Sequence, residues 1–218
     1  MFTGIIEAVG KIRKIEPQGH GLRLTIASGK LDLSDVKLGD SIATNGVCLT
    51  VVQHLADGYV ADVSSETVSV TCFAHYQVGT KVNLEKAVTP TTRLGGHMVS
   101  GHVDGVATVV DRKPSGQAIE FWLEAPKGLA KYIAHKGSVT IDGVSLTVNQ
   151  VDGSRFRLTI VPHTADETTF LDLHSGSKVN LEVDLVARYL ERLLQGQEDD
   201  NKSSGVTMEM LARTGFVR

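Results

Sequence analysis

Four side chains in this sequence have chemistry to offer near neutral pH: His102, Ser145, Asp184 and Cys48. An imidazole titrates close to neutrality, so His102 can take up or release a proton at working pH. A serine hydroxyl is a poor nucleophile without an adjacent base. The nearest candidates to assist Ser145 are His102 and Asp184, and only folding can bring them close. Asp184 precedes a helical pattern, where it also fits an N-cap. Cys48 lies in an apolar segment, and a free cysteine there commonly packs as a small apolar residue. On the residues alone, His102 reads first as a satisfied structural histidine. His97 stands five residues earlier. A metal site on the two histidines lacks a third and fourth ligand at sensible spacing, so no metal is expected.

These residues belong to a repeat. Gly4 recurs as Gly101, Gly46 as Gly143, Thr67 as Thr164 and Gly79 as Gly176, each 97 positions on. Two segments carry most of the identity: GVCLTV (46–51) against GVSLTV (143–148), and KVNLE at 81–85 against KVNLE at 178–182. No gap is needed, although 13–38 has little identity with its counterpart. The chain reads as two copies of one domain and a short tail, an arrangement suited to chemistry on two similar molecules. Thr50 matches Thr147 and Thr67 matches Thr164, as two equivalent pockets would require; strand threonines are also simply good β-formers. The mismatches are Cys48 with Ser145, Ile5 with His102, Glu66 with His163, and Ala87 with Asp184. They would let the halves treat two identical molecules differently.

Alternating apolar residues predict strands at 4–16, 20–27, 41–52, 58–63 and 81–86, and again at 101–113, 117–124, 138–149, 155–161 and 178–183. Asn45-Gly46 and Asp142-Gly143 supply the turns of hairpins within 41–52 and 138–149. About six short strands per copy suggest a small barrel, interrupted by short helices near 65–73 and 162–170. Pro162 suits a helix start. The joint 89–102, with Pro90, Gly95 and Gly96, reads as a linker. In 184–195, Leu185, Val186, Tyr189, Leu190, Leu193 and Leu194 recur at helical spacing. That stripe packs either on its own barrel or on other subunits. A polar linker at 196–205 and a last helical turn or two within 206–213 complete the chain. The 218 residues are 41% apolar and carry a net charge of −3, which excludes the basic footprint of a nucleic-acid binder. No apolar run approaches membrane-spanning length. The N-terminus lacks a signal-peptide pattern, and two unmatched cysteines favour a reducing cytoplasm.

The opening MFTGII, the pair NGVCLTV and DGVSLTV, the joint GGHMVSGH and the segment VNLEVDLVARYLERL together closely resemble riboflavin synthases. The resemblance implies an all-β fold of two tandem, homologous six-stranded Greek-key barrels followed by a C-terminal α-helix. The domains would be 1–97, 98–183 and a trimerising tail 184–218. The implied reaction joins two molecules of 6,7-dimethyl-8-ribityllumazine. One gives a four-carbon unit to the other, yielding riboflavin and a ribitylamino-pyrimidinedione without a cofactor. The implied assembly is a homotrimer with each active site between one subunit's N-barrel and the next subunit's C-barrel. Association with lumazine synthase is also implied.

By matching motif, the first copy contributes Gly4, Ile5 and Ile6, then Cys48, Leu49 and Thr50. It adds Asp62, Val63, Ser64, Ser65, Glu66 and Thr67, together with Phe2 and Ser41. Ser64 and Ser65 depart from the family's bulkier residue and lysine. The second copy contributes Gly101, His102 and Val103, then Ser145, Leu146 and Thr147. It adds Ile160, Val161, Pro162, His163, Thr164 and Ala165. Lys136 matches a lysine that reaches the ligand of a neighbouring subunit. The resemblance makes His102 the leading general acid/base, aided by Ser145 and Asp184, with Cys48 able to influence rate. Such a reaction needs a base for an acidic ring methyl, a nucleophile for the neighbouring ring carbon, and close juxtaposition of two flat rings.

Overall fold

Two dipeptides set the hairpins around which each half closes. Asn45 and Gly46 have φ of 46° and 79°, and Asp142 and Gly143 have 45° and 84°. A two-residue turn of this hand matches the twist of the strands it joins. The turns connect β3 (Ser41–Thr44) to β4 (Val47–Leu55), and β9 (Ser138–Ile141) to β10 (Val144–Asp152). The computed structural model describes residues 1–203 and 212–214.

The remaining strands of the first half are β1 (Ala8–Gln18), β2 (Gly21–Ala27), β5 (Gly58–Val63) and β6 (Lys81–Lys86). Those of the second are β7 (Gly105–Ser115), β8 (Ala118–Glu124), β11 (Arg155–Ile160) and β12 (Lys178–Val183). The first barrel runs β1-β2-β5-β4-β3-β6 and closes on itself, and the second repeats that order. Every pairing is antiparallel. The bulges repeat too: Ile12/Lys14 and Val51/Gln53 in the first barrel, Val109/Asp111 and Val148/Gln150 in the second. A bulge bends its strand and raises the local twist, which a sheet of six short strands needs in order to close.

Inward positions fill both barrels. Leu24, Ile26, Tyr59 and Phe73 in the first are buried, as are their counterparts Phe121, Leu123, Phe156 and Phe170 in the second. Complete burial of one such side chain contributes about 1.5–3 kcal/mol. The cores differ in a compensated way. Tyr59 hydrogen-bonds Thr44 Oγ1 at 2.7 Å, whereas the equivalent residues Phe156 and Ile141 are both apolar. A buried hydroxyl needs a partner, so the pair changes together.

Several expectations shift. The strand expected from residue 4 begins at Ala8, and the one expected from 101 begins at Gly105. Their first residues are recruited elsewhere, as described below. The short helices are α1 (Ser65–Val70) and α2 (Pro162–Asp166), each followed by a 3-10 turn. A further 3-10 turn at Ala130–Tyr132 has no clear sequence signal. The helix α3 spans Leu185–Ser203, so 196–203 is helical where a linker was expected. Gly196 alone in that stretch strongly disfavours helix, and one glycine costs only about 1 kcal/mol. The turns expected at 206–211 lie outside the described residues. Within α3, Val186, Tyr189, Leu190, Leu193 and Leu194 are exposed. Among the described residues no helix is long and apolar enough to cross a membrane.

The two barrels lie within one compact unit, Met1–Leu185, and a reciprocal set of buried hydrogen bonds joins them. Asn83 Nδ2 donates to the Asp142 carbonyl and Asn180 Nδ2 to the Asn45 carbonyl, both at 2.9 Å. Asn83 Oδ1 accepts from the Thr169 N–H at 2.9 Å, and Asn180 Oδ1 from the Cys72 N–H at 2.7 Å. Each asparagine thus satisfies a donor and an acceptor of the opposite barrel.

Candidate active site

The segments that precede β1 and β7 form the frame of the site. Each is pinned by a glutamate of its own barrel. Glu85 accepts from the Thr3 N–H at 2.6 Å, the Thr3 hydroxyl at 2.7 Å and the Gly4 N–H at 3.0 Å. Glu182 accepts from the Ser100 N–H at 2.7 Å, the Ser100 hydroxyl at 2.7 Å and the Gly101 N–H at 3.0 Å. Burial pushes both carboxyls up, and these hydrogen bonds oppose the shift.

Thus held, each segment crosses to the other barrel. The Ser145 N–H donates to the Gly4 carbonyl at 2.8 Å, and the Cys48 N–H to the Gly101 carbonyl at 2.9 Å. A Cβ on Gly4 would lie 2.5 Å from Ser145 Cβ, and one on Gly101 would lie 2.7 Å from Cys48 Cβ. Only glycine permits that approach. Ile6 then packs against the second core and Val103 against the first. Phe2 and Val99 form a bridge between the two segments.

This exchange regroups the site residues. Gly4, Ile5 and Ile6 are first-copy residues in sequence but stand on the second barrel beside Ser145. Gly101, His102 and Val103 stand on the first beside Cys48. His102 is exposed there, and so is its counterpart Ile5 on the other barrel. His102, a candidate to assist Ser145, therefore sits on the other barrel of the chain.

The rest of the first-barrel edge comes from β4, β5 and α1. Ser41 pairs across the hairpin with Thr50, whose side chain is exposed. Leu49 and Val63 are buried, so Leu49 and Val63 present backbone rather than side chain. Asp62 is held in a two-pronged ion pair by Arg23, at 2.6 and 2.8 Å. That guanidinium keeps the Asp62 carboxyl below its usual range. Ser64 Oγ caps α1 by accepting from the Thr67 N–H at 3.1 Å, and also meets the Thr67 hydroxyl at 2.9 Å. Ser65 and Glu66 are exposed on the first turn of α1.

The second edge is built alike. Ser145, Leu146 and Thr147 lie on β10, with Thr147 exposed. Ile160 ends β11, Val161 precedes α2, and α2 carries Pro162, His163, Thr164 and Ala165. Ile160 and Ala165 are buried wall residues, and His163 is exposed. Lys136 is exposed with φ of 64°, where the first copy has Gly39 at 93°. A lysine in this left-handed conformation carries a strain that glycine avoids.

The second edge also holds a polar cluster that the first lacks. His97 Nδ1 lies 2.6 Å from Ser145 Oγ, and His97 Nε2 lies 3.2 Å from Thr140 Oγ1. Burial lowers the pKa of His97, while the Asp184 carboxylate acts in the opposite sense. In the first barrel the equivalent positions are Ala43 for Thr140, Cys48 for Ser145 and Ala87 for Asp184. Ala43 joins Phe2 and Val99 in a small apolar cluster, with Cys48 and Ala87 against it. The histidine on Ser145 is thus His97, and the segment expected as a linker is what delivers it. A signal was present in Gly96. A Cβ there would fall 2.2 Å from the Thr3 carbonyl oxygen and 2.7 Å from Ser145 Oγ, so the chain passes against the site at that point. Thr140 had no signal, because it reads as an ordinary inward strand residue.

Two tandem matches to the Lumazine binding domain model fall on this geometry, at residues 3–87 and 100–184. The chain is 57% identical to riboflavin synthase of Photobacterium phosphoreum, with all of both chains covered. It is 41% identical to riboflavin synthase of Bacillus subtilis (strain 168), covering 99% of this chain and 100% of that one. The chain belongs to the riboflavin synthase family. Its fold also matches the crystal structure of LumP complexed with riboflavin, at a TM-score of 0.79 and 29% identity, covering 84% of this chain and 100% of that one. LumP complexed with 6,7-dimethyl-8-(1'-D-ribityl) lumazine matches at a TM-score of 0.77, again at 29% identity, covering 84% and 99%. This chain and LumP therefore share the paired barrels.

Proposed function

We propose that this protein converts two molecules of 6,7-dimethyl-8-ribityllumazine into riboflavin and 5-amino-6-ribitylamino-pyrimidinedione. One observation carries the reading: full-length identity to riboflavin synthases combined with two barrel edges of equal backbone and unequal chemistry. Each edge offers backbone groups and small hydroxyls to a flat, polyhydroxylated molecule: Ser41, Thr50 and Thr67 on one, Thr147 and Thr164 on the other. The unequal chemistry suits a reaction in which identical molecules play different parts.

In this reading His102, exposed above Cys48, exchanges the proton of the ring methyl. Ser145 and Asp184 serve the molecule on the second barrel, and Cys48 shapes the first pocket. The active assembly is a homotrimer in which the first barrel of one subunit faces the second barrel of the next. That arrangement gives His102 and Ser145, which lie on different barrels of one chain, a common cavity. The exposed apolar side chains of α3 are proposed to hold the trimer. Lys136 would reach across from a neighbour. The tail from Asp184 onward is the assembly element, the location is cytoplasmic, and association with lumazine synthase completes the proposal.

The test is direct. Purified protein is mixed with the lumazine, and riboflavin is followed by its fluorescence while sedimentation gives the oligomeric state. Riboflavin at half the molar amount of lumazine consumed supports the reaction. Tight binding with no riboflavin would instead identify a carrier.

A further inference from the structure

His97 is the one partly buried histidine of the site that the proposed reaction leaves without a task. Its two ring nitrogens face two hydroxyls, Ser145 Oγ at 2.6 Å and Thr140 Oγ1 at 3.2 Å. The contact of 2.6 Å suits a hydroxyl donating, and that of 3.2 Å a ring N–H donating weakly. On that assignment the neutral ring carries its hydrogen on Nε2, directed at Thr140, and accepts the Ser145 hydroxyl hydrogen at Nδ1. Its backbone is fixed as well, because the His97 N–H donates to the Thr3 carbonyl at 3.2 Å. Thr3 is itself clamped by Glu85.

We propose that His97 is a positioning residue that sets the hydrogen-bond polarity of Ser145. With the Ser145 hydrogen tied to Nδ1, the Oγ lone pairs face the pocket. Ser145 then accepts a hydrogen bond from an O–H there, that of a ribityl hydroxyl or of the water that adds to the ring. When the ring gains a proton, Nδ1–H donates instead. Oγ accepts from it, and the Ser145 hydrogen turns outward, so the same hydroxyl offers a donor where an acceptor is needed. The charge that bears on the ring among the described residues is the Asp184 carboxylate, from the junction of β12 and α3. It favours the imidazolium and thus opposes burial. Both Thr140, on β9, and Ser145, on β10, are neutral.

This inference rests on the reaction proposed above, and the experiment separates the two. Turnover of the lumazine by the full chain, by His97→Asn and by Thr140→Val is followed from about pH 5 to about pH 9, with lumazine affinity measured in parallel. The wild type is expected to lose activity in acid, with a midpoint below the ordinary imidazole range. His97→Asn loses the His97 part of that acid limb, leaving the part due to protonation of the base His102, and loses roughly 10- to 100-fold in kcat, with affinity changed less than about 3-fold. Thr140→Val moves the limb further into acid, because the imidazolium loses more than the neutral ring when its Nε2 partner is removed. An unchanged pH profile in His97→Asn, or a change in KM alone, overturns the inference. If that variant does not fold, an unmoved limb in Thr140→Val overturns it. Should the wild type make no riboflavin, the reaction fails and the polarity claim is decided by the ring titration in nuclear magnetic resonance. Ser145→Ala must then lower the His97 midpoint, since the imidazolium loses a charge-assisted Nδ1–H acceptor worth more than the hydrogen bond the neutral ring loses; no shift overturns the inference.

Discussion

The edges of the two barrels share a backbone and differ in chemistry. On the first, Ala43, Cys48 and Ala87 pack with Phe2 and Val99. On the second, the equivalent positions hold Thr140, Ser145 and Asp184, and His97 joins them. Strand order, bulges, hairpin turns and glutamate clamps are common to both. Duplication thus fixes a binding frame, and three substitutions plus one added histidine give only one frame a titratable, hydrogen-bonded cluster. The exchange of the Gly4 and Gly101 segments adds a second difference, because His102 is lent to the apolar edge and Ile5 to the polar one.

The widest gap between the edges is expected in turnover. Ser145→Ala should lower kcat about 100-fold or more, in the range of lost acid–base assistance. Cys48→Ala should lower it about 10-fold or less, acting through fit. Steady-state turnover of both variants checks this. Equal losses would break the comparison.

A smaller and structural gap lies at the joint between barrels. Asn180→Ala strands the Cys72 N–H and the Asn45 carbonyl, and each stranded group costs about 1–3 kcal/mol. Asn83→Ala strands the equivalent Thr169 N–H and Asp142 carbonyl. Urea unfolding should show matching losses if the joint is truly reciprocal.

Asp142 breaks that reciprocity. Asn45 and Asp142 occupy equivalent places, and each accepts from the backbone of the matching asparagine, at 2.7 Å from Asn83 and 2.8 Å from Asn180. Burial raises the Asp142 carboxyl to about 7. The protonated form therefore favours the folded state. Its contribution is complete below the ordinary carboxyl range and is lost as pH rises through about 7. Asp142→Asn should be close to neutral near pH 4 and stabilising near pH 8, by on the order of 2–4 kcal/mol. Thermal unfolding at both pH values checks the sign.

The smallest expected effect concerns the cores. Thr44→Val leaves the buried Tyr59 hydroxyl unpaired and should cost about 1–3 kcal/mol, while Thr44→Ile with Tyr59→Phe, copying the second barrel, should recover most of it. Denaturant titration of the single and double variants decides whether the two cores are interchangeable.

Much of this was legible before folding. The repeat spacing, the Asn-Gly and Asp-Gly turns, the alternating strands and the helix starting near Leu185 are local patterns, and local patterns survive in a linear text. Ser145, Cys48 and Thr50 were legible as hairpin residues because hairpin and motif coincide. The partner of Ser145 was not found, because His97 lies 48 residues away in a stretch whose glycines resemble a linker. The helical extent of 196–203 was obscured by its polar composition, which suits an exposed helix as well as a loop.

The sequence by itself determined two like domains, six strands in each, and where the two copies part company chemically. Only the tertiary structure decided which residues meet: that Gly4 serves the second barrel, Gly101 the first, and His97 the hydroxyl of Ser145. The reason is physical. Strand and turn preferences arise from neighbouring residues, whereas a crossing segment is chosen by buried carboxylates, missing Cβ atoms and unpaired N–H groups that exist together only once the chain has closed.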